Sequence, residues 1–168
     1  MSYKKIPFGD IDAFNVVVEV PTGGQKKYAY DPEINAIKLS RVLYGQEKFP
    51  LNYGHVAQTF AQDNNLLDAF VFSTYPITTG TVVACRAIGV LKVIDEGKKD
   101  DKILAVPIAE TVFGHLQDVE DIPPDQISEL EKFYKMLPKA WNKEIKIIGI
   151  AGKKEAVKEL QAAREFED

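Results

Sequence analysis

Phe14-Asn-Val-Val-Val-Glu-Val20 is a run of β-branched and aromatic residues that stops at Pro21-Thr22-Gly23-Gly24. Side chains branched at Cβ favour extended backbone, and Pro with Gly ends it, so this stretch predicts a strand followed by a turn. Working outward, the same signature recurs at residues 27–30, 37–43 and 68–72, over a long segment at 81–94, and at 102–106 and 145–150. Many short strands separated by Gly and Pro turns predict a barrel or a sandwich. Two helices are expected late in the chain. Asp121-Ile-Pro-Pro124 reads as a helix entry, because proline is tolerated in a first turn. Ile127, Leu130, Tyr134 and Leu137 then share one face, and Pro138 is expected to stop the helix. A second helix follows Gly152, with Ala156, Leu160 and Ala163 on its apolar stripe. The expected architecture is α+β: a β-barrel core flanked by two or more helices.

The 168 residues suffice for one domain with a real core, and 1–168 is read as one. Hydrophobic content of 45% and charged content of 27% are those of a soluble globular protein. No apolar run approaches the roughly 20 residues that cross a bilayer, and Met1-Ser-Tyr-Lys-Lys5 lacks the apolar core of a secretory signal. A cytoplasmic protein with no membrane partner is expected. Cys85 is the one cysteine, so it forms no intrachain disulfide, and its apolar strand predicts a buried, inert thiol. The net charge of −4 and the absence of a basic stripe argue against nucleic acid as a partner. They leave room for a small anion gripped by local cations or by bridging metal ions.

The residues that carry chemistry are carboxylates near strand ends: Asp63, Asp68, Asp95, Asp100 and Asp101. Asp68 lies between Leu66-Leu67 and Ala69-Phe70-Val71, where a carboxylate is costly to bury unless it is paired or bound to metal. The bland alternative is a solvated turn aspartate at 63 and a strand-edge one at 68. For Asp95-Glu-Gly-Lys-Lys-Asp-Asp-Lys102 the alternative is a charged hairpin loop. Hard oxygen donors without nearby His or Cys suit Mg²⁺, Mn²⁺ or Ca²⁺ rather than zinc. His55 and His115 have no zinc-site spacing, Gly23-Gly24 is followed by no Gly-Lys-Ser/Thr, and no Gly-x-Ser-x-Gly elbow exists.

Taken in order, Glu19-Val-Pro, Lys27-Tyr28, Ser40-Arg41-Val-Leu-Tyr and Phe49-Pro-Leu-Asn-Tyr53-Gly resemble the front half of the family I soluble inorganic pyrophosphatases. Asp63-Asn-Asn-Leu-Leu-Asp68 lies where that family carries Asp-x-Asp-Pro-x-Asp. Tyr75-Pro76, Arg86-Ala-Ile-Gly-Val-Leu-Lys, Asp95 to Lys102 and Tyr134-Lys135 continue the match, which covers residues 14 to 150. The resemblance implies an OB-like five-stranded barrel and hydrolysis of pyrophosphate to two phosphates with Mg²⁺, or Mn²⁺ in its place. It implies metal ligation by Asp63, Asp68, Asp95 and Asp100, and catalytic roles for Asp63, Asn65, Asp68 and Tyr53. Lys27, Arg41, Lys102, Tyr134 and Lys135 match residues that grip phosphate oxygens, and Glu19 matches an acidic residue of the cavity. The chain length resembles compact members that form hexamers, so a homo-oligomer is expected, with apolar surface around Tyr134 and on the last helix available to an interface.

Three positions depart from the family. Asn65 replaces the middle aspartate of the signature, which helps to position and deprotonate water, and an amide cannot take that proton. Ala29 replaces a glutamate that supports metal and substrate, and Phe49 replaces a tyrosine. The expectation is pyrophosphate hydrolysis at reduced activity. The alternative is a catalytically impaired homologue that binds phosphate, pyrophosphate or a nucleotide in a regulatory role.

Overall fold

In the computed structural model, residues 2–60 and 65–165 are described. In chain order the strands are β1 (Gly9–Asp10), β2 (Ala13–Val20), β3 (Lys26–Asp31), β4 (Ala36–Val42), β5 (Asn52–Val56), β6 (Asp68–Val71), β7 (Val82–Asp95), β8 (Lys98–Lys99), β9 (Lys102–Pro107) and β10 (Ile145–Gly152). Helix α1 spans Pro124–Trp141, and α2 spans Lys153–Glu165. Strands β2, β5, β6, β9 and β7 are neighbours in that order, and β7 pairs back onto β2, closing a five-stranded barrel. β3 and β4 form a separate antiparallel hairpin. The expected OB-like α+β barrel with two flanking helices is what the chain forms.

The barrel strands read as nearly continuous apolar runs because both of their faces are covered. In β6, Phe70 joins the core under α1, while Ala69 and Val71 join the core that holds α2. In β9, Leu104 and Val106 take the first side, Ile103 and Ala105 the second. Tyr134 and the stripe Ala156, Leu160 and Ala163 are buried in these cores. They are therefore not the free interface surface expected of them.

β5 has no counterpart among the predicted strands. Asn52, Gly54 and His55 are poor strand formers, and only burial of the whole segment between β2 and β6 makes it extended. Pro138 does not stop α1 as expected. The helix runs on to Trp141 and ends where Asn142, in the left-handed conformation, donates its N–H to the Pro138 carbonyl. A proline one turn from the end forfeits a single intrahelical bond, and packing of Leu137 and Trp141 outweighs it. α2 begins directly after Gly152, and the Asp118 carboxylate accepts from the backbone N–H of Lys153 at 2.9 Å. Among the described residues, no helix is long and apolar enough to cross a membrane.

Candidate active site

Parallel pairing of β6 with β9 sets Asp68 directly opposite Lys102, and β5 brings Tyr53 opposite Phe70 on the same surface of the sheet. Three adjacent strands thereby aim three polar groups at one point. The Lys102 Nζ donates to Asp68 Oδ2 at 2.7 Å, to Asp100 Oδ2 at 2.9 Å and to Tyr53 OH at 2.8 Å. Tyr53 in turn donates to the same Asp68 oxygen at 2.6 Å. The buried carboxylate that the sequence singled out is thus paired. Burial pushes the Asp68 pKa up, but the Lys102 charge and hydrogen bond, with the Tyr53 hydrogen bond and the charge of Lys27, carry it below its ordinary value. Burial pulls the Lys102 ammonium down, yet Asp68 and the groups beside it hold its pKa well above normal. Burial and then Asp68 raise the Tyr53 phenol well above its usual range, so it stays protonated and remains a donor. Lys27 is lowered by burial and by repulsion from Lys102.

These groups form the floor of a cavity of about 950 Å³ whose walls include Glu19, Lys27, Asn65, Asp95, Asp100 and Lys102. A small annex, about 30 Å³, reaches Tyr134, Phe49 and Trp141 from the same floor. Asp95 ends β7 at the two-residue turn Glu96-Gly97 and pairs with Lys143 at 2.7 Å. The charged hairpin is real, and its two ends still deliver Asp95 and Asp100 to the cavity. Glu19, on β2, is buried at 4% exposure; its Oε2 accepts the backbone N–H of Tyr30 at 2.5 Å and faces His55 Nδ1 at 3.4 Å.

Eight of the residues singled out from sequence therefore share the main cavity: Glu19, Lys27, Tyr53, Asn65, Asp68, Asp95, Asp100 and Lys102. Tyr134 is buried at the annex. Asp63 lies outside the described residues. Two are not brought in. Arg41 is exposed and lies over the Trp141 ring at 5.3 Å, its Nη1 donating to the Trp141 carbonyl at 3.4 Å. Lys135 is exposed on α1 and lines neither cavity, because its turn of helix points Phe133 and Tyr134 inward. Ala29 is a wall residue of the cavity, and Phe49 is packed in the annex 4.8 Å from Phe133. Sequence reasoning missed Lys143 and Trp141, and weighed His55 only as a zinc ligand although it lines the cavity. Lys143 lies on a segment that carries no motif. The Trp141 ring also stands 5.2 Å from Lys27, a contact between chain segments that no local pattern signals.

The family model for inorganic pyrophosphatase matches residues 16–167 of this chain. The chain belongs to the family I soluble inorganic pyrophosphatases. It is 38% identical over 164 residues to the inorganic pyrophosphatase of Thermus thermophilus, covering 95% of this chain and 94% of that one. A soluble inorganic pyrophosphatase of Arabidopsis thaliana is 37% identical over 148 residues, 88% of this chain and 70% of that protein. The crystal structure of the Thermus thermophilus pyrophosphatase superposes with a TM-score of 0.93 at 35% identity over 99% of both chains. That of a Coxiella burnetii pyrophosphatase gives 0.91 at 33% identity, over 97% of this chain and all of that one.

The pyrophosphatase floor fits Mg²⁺ in the chemistry of its donors. Asp68 and Asp100 approach one ammonium from two sides, and Asp95 opens on the same cavity, all hard carboxylate oxygens. Among the described residues no three acid, His or Cys side chains converge into a ready cage. Lysines instead occupy the carboxylates: Lys102 bridges two of them and Lys143 holds the third.

Proposed function

We propose that this chain hydrolyses inorganic pyrophosphate to two phosphates in the cavity floored by Tyr53, Asp68, Asp100 and Lys102, at a rate reduced by Asn65, Ala29 and Phe49. The observation that carries the reading is the convergence of Tyr53, Asp68 and Lys102 from three adjacent strands, in one cavity with Lys27, Asp95 and Asp100. Asp68, Asp95 and Asp100, with Asp63, would hold Mg²⁺, which when bound would neutralise charge on the polyanion and acidify the attacking water. The protein's part is positioning and electrostatics. Lys27 and Lys102 offer ammonium donors to phosphoryl oxygens, already fixed in position where charge develops. A substrate oxygen near Lys27 would offset the repulsion by Lys102 and favour its charged form. Tyr53 keeps its proton and fixes the Asp68 oxygen that Lys102 also holds. Asn65 can orient water through its amide but cannot accept the water's proton, which must then leave to solvent or to a substrate oxygen.

A second reading, a binding protein with little turnover, is favoured by one observation: Ala29 and Asn65 both stand in the cavity wall where the family carries carboxylates. Phosphate release from pyrophosphate with and without Mg²⁺ separates the two. Turnover that requires Mg²⁺ and is abolished in Asp68→Asn supports hydrolysis, and Asn65→Asp is then expected to raise kcat by about 10²-fold, the low end of general-base assistance. Tight pyrophosphate binding without turnover supports the second reading. Cytoplasmic residence and a homo-oligomer, with a hexamer as the expected form, belong to the same proposal. Exposed Ile148, Val112 and Ile108 supply apolar surface for assembly, and a monomer by light scattering at micromolar concentration refutes that part.

A further inference from the structure

Of the carboxylates singled out in the sequence, Asp101 is the described one that lines neither cavity. Successive side chains of an extended chain point to opposite faces. Asp100 and Lys102 face the floor, while Asp101 turns with Ile103 and Ala105 to the side covered by α2. Its side chain there is 3% exposed and sits among charges. Lys92 Nζ lies 3.2 Å and Lys99 Nζ 3.5 Å from its Oδ2, ion-pair contacts without hydrogen-bond alignment. Both ammonium groups also donate to one oxygen of Glu159 on α2, Lys92 at 2.9 Å and Lys99 at 2.8 Å. Two cations thus alternate with two anions, and each largely buried carboxylate is compensated.

This network lies behind the hairpin whose two ends are Asp95 and Asp100. β7 pairs with β8 through Ile94 and Lys99, and with β9 from Leu91 and Lys102 onward, so residues 100 and 101 fall between two ladders. Two bonds to Val93 hold them. The Asp100 N–H donates to the Val93 carbonyl at 2.9 Å, and the Val93 N–H donates to Asp101 Oδ1 at 3.1 Å. In the second bond a side chain stands in for the acceptor that the ladder lacks. The direction of Asp100 therefore depends on where the Asp101 carboxylate is held, and lysines from both arms of the hairpin hold it. Glu159 fixes those lysines from an element anchored elsewhere. Ala156, Leu160 and Ala163 bury the stripe of α2, and Asp118 caps its first turn.

We propose that Glu159 is a positioning residue for the metal site: through Lys92, Lys99 and Asp101 it braces the hairpin so that Asp95 and Asp100 present their oxygens to a divalent cation. The inference rests on the reading of those two aspartates as metal carboxylates. Carboxylates that share a cation repel one another until it arrives, and a hard cation demands close, fixed distances from them. A site holds such geometry only when the groups behind its ligands are themselves locked. The ion-paired brace resists the repulsion from the far face of the hairpin and places no charge in the cavity. Charge alone makes the opposite forecast at Lys99. Removing a cation from behind the site would tighten metal binding, whereas loosening the hairpin weakens it.

Mn²⁺ binding to the full chain without substrate, read from the electron paramagnetic resonance of the free ion, tests the brace. Glu159→Gln and Lys99→Met are each expected to weaken Mn²⁺ binding roughly tenfold, the low end for losing a residue that orients a metal ligand. Glu159→Asp, which keeps the charge, should recover part of the loss. Glu155 lies one turn earlier on α2, with a side chain 48% exposed and paired to Lys158 at 3.5 Å. Glu155→Gln removes the same charge from the same helix, and because an exposed charge is screened it should change Mn²⁺ affinity less than about twofold. Lys99 is 38% exposed, so Lys99→Met carries the test alone if Glu159→Gln fails to fold. A Mn²⁺ affinity in Lys99→Met equal to or above the parent's overturns the proposal, as does a loss in Glu159→Gln no larger than in Glu155→Gln. In either case the metal reading stands if Asp100→Asn weakens binding. Mn²⁺ binding absent from the parent, or unchanged in Asp100→Asn, overturns the metal reading and the proposal with it.

Discussion

Replacing Lys102 by methionine removes an ammonium that Asp68 and Asp100 share. The side chain it replaces is 4% exposed, and the two carboxylates keep 25% and 21% of their side-chain surface. Methionine fills much of the same volume, so the change tests charge more than packing. Removing one partner of a buried ion pair costs about 3–5 kcal/mol, because the remaining charge stays desolvated. The residual exposure of both aspartates lets water reach them, which puts the expected loss near the low end, about 3 kcal/mol. Tyr53 still donates to Asp68, but it carries no charge with which to separate two carboxylates. A divalent cation does. Urea unfolding in the presence of chelator, followed by the fluorescence of the one tryptophan, Trp141, reads the loss directly. Repeating it in excess Mg²⁺ should recover a larger share of stability in Lys102→Met than the same Mg²⁺ adds to the parent, because a ligand that binds only the folded state stabilises it by mass action. A loss below about 0.5 kcal/mol, within the range of ordinary surface substitutions, refutes the view that Lys102 neutralises this pair. A loss of the expected size with no differential Mg²⁺ effect refutes the assignment of these aspartates as metal ligands.

Gly54→Ala should destabilise the barrel by about 3 kcal/mol or more, the upper end for overpacking, because a Cβ there would lie 2.0 Å from the Val17 carbonyl oxygen. Denaturant midpoints report the loss, and a midpoint equal to the parent's contradicts the β2–β5 register. Asp118→Asn keeps an acceptor but removes the charge, and should lower stability near neutral pH by about 0.5 kcal/mol, the contribution of a negative group at a helix N-terminus. The Asp118 pKa is depressed, first by the Lys153 N–H and then by that of Val119. Its contribution is therefore present above the unfolded carboxylate value of about 3.9 and disappears as pH falls through the lower folded value. The gap between parent and variant should shrink as pH falls below the unfolded value and close once Asp118 is protonated in the folded protein, and a gap that persists through full protonation refutes the charge-assisted cap. Chelation of divalent metal should abolish phosphate release from pyrophosphate, and turnover that survives chelator excludes the metal-assisted reading.

The barrel was legible because its strands are long in β-branched residues and covered on both faces, so Phe14 to Val20 and the 81–94 run announce themselves. β5 was not, since Asn52, Gly54 and His55 become strand only between two neighbours that hydrogen-bond them. Pro138 misled because a local rule about helix interiors ignores how near the helix end it falls. At the site, the burial of Asp68 between leucines and a phenylalanine predicted a partner, and register supplied it in Lys102. Arg41 illustrates the reverse. Order along the chain placed it with the phosphate-binding residues, while its guanidinium lies on Trp141, a contact across 100 positions that no motif encodes.

The charges of the floor bear on how readily it admits an anion. Three lysines, Lys27, Lys102 and Lys143, stand among Asp68, Asp95, Asp100 and the buried Glu19. With a carboxylate at 29 and another at 65, the same cavity would hold two more negative charges and would need more metal to accept a polyanion. Neutral residues there leave fewer anions to be offset, so less metal is needed to admit the polyanion, and the repulsion that pyrophosphate itself meets is smaller. The same change at 65 removes the carboxylate that could take a proton from water, so easier admission of the anion comes with weaker general-base help.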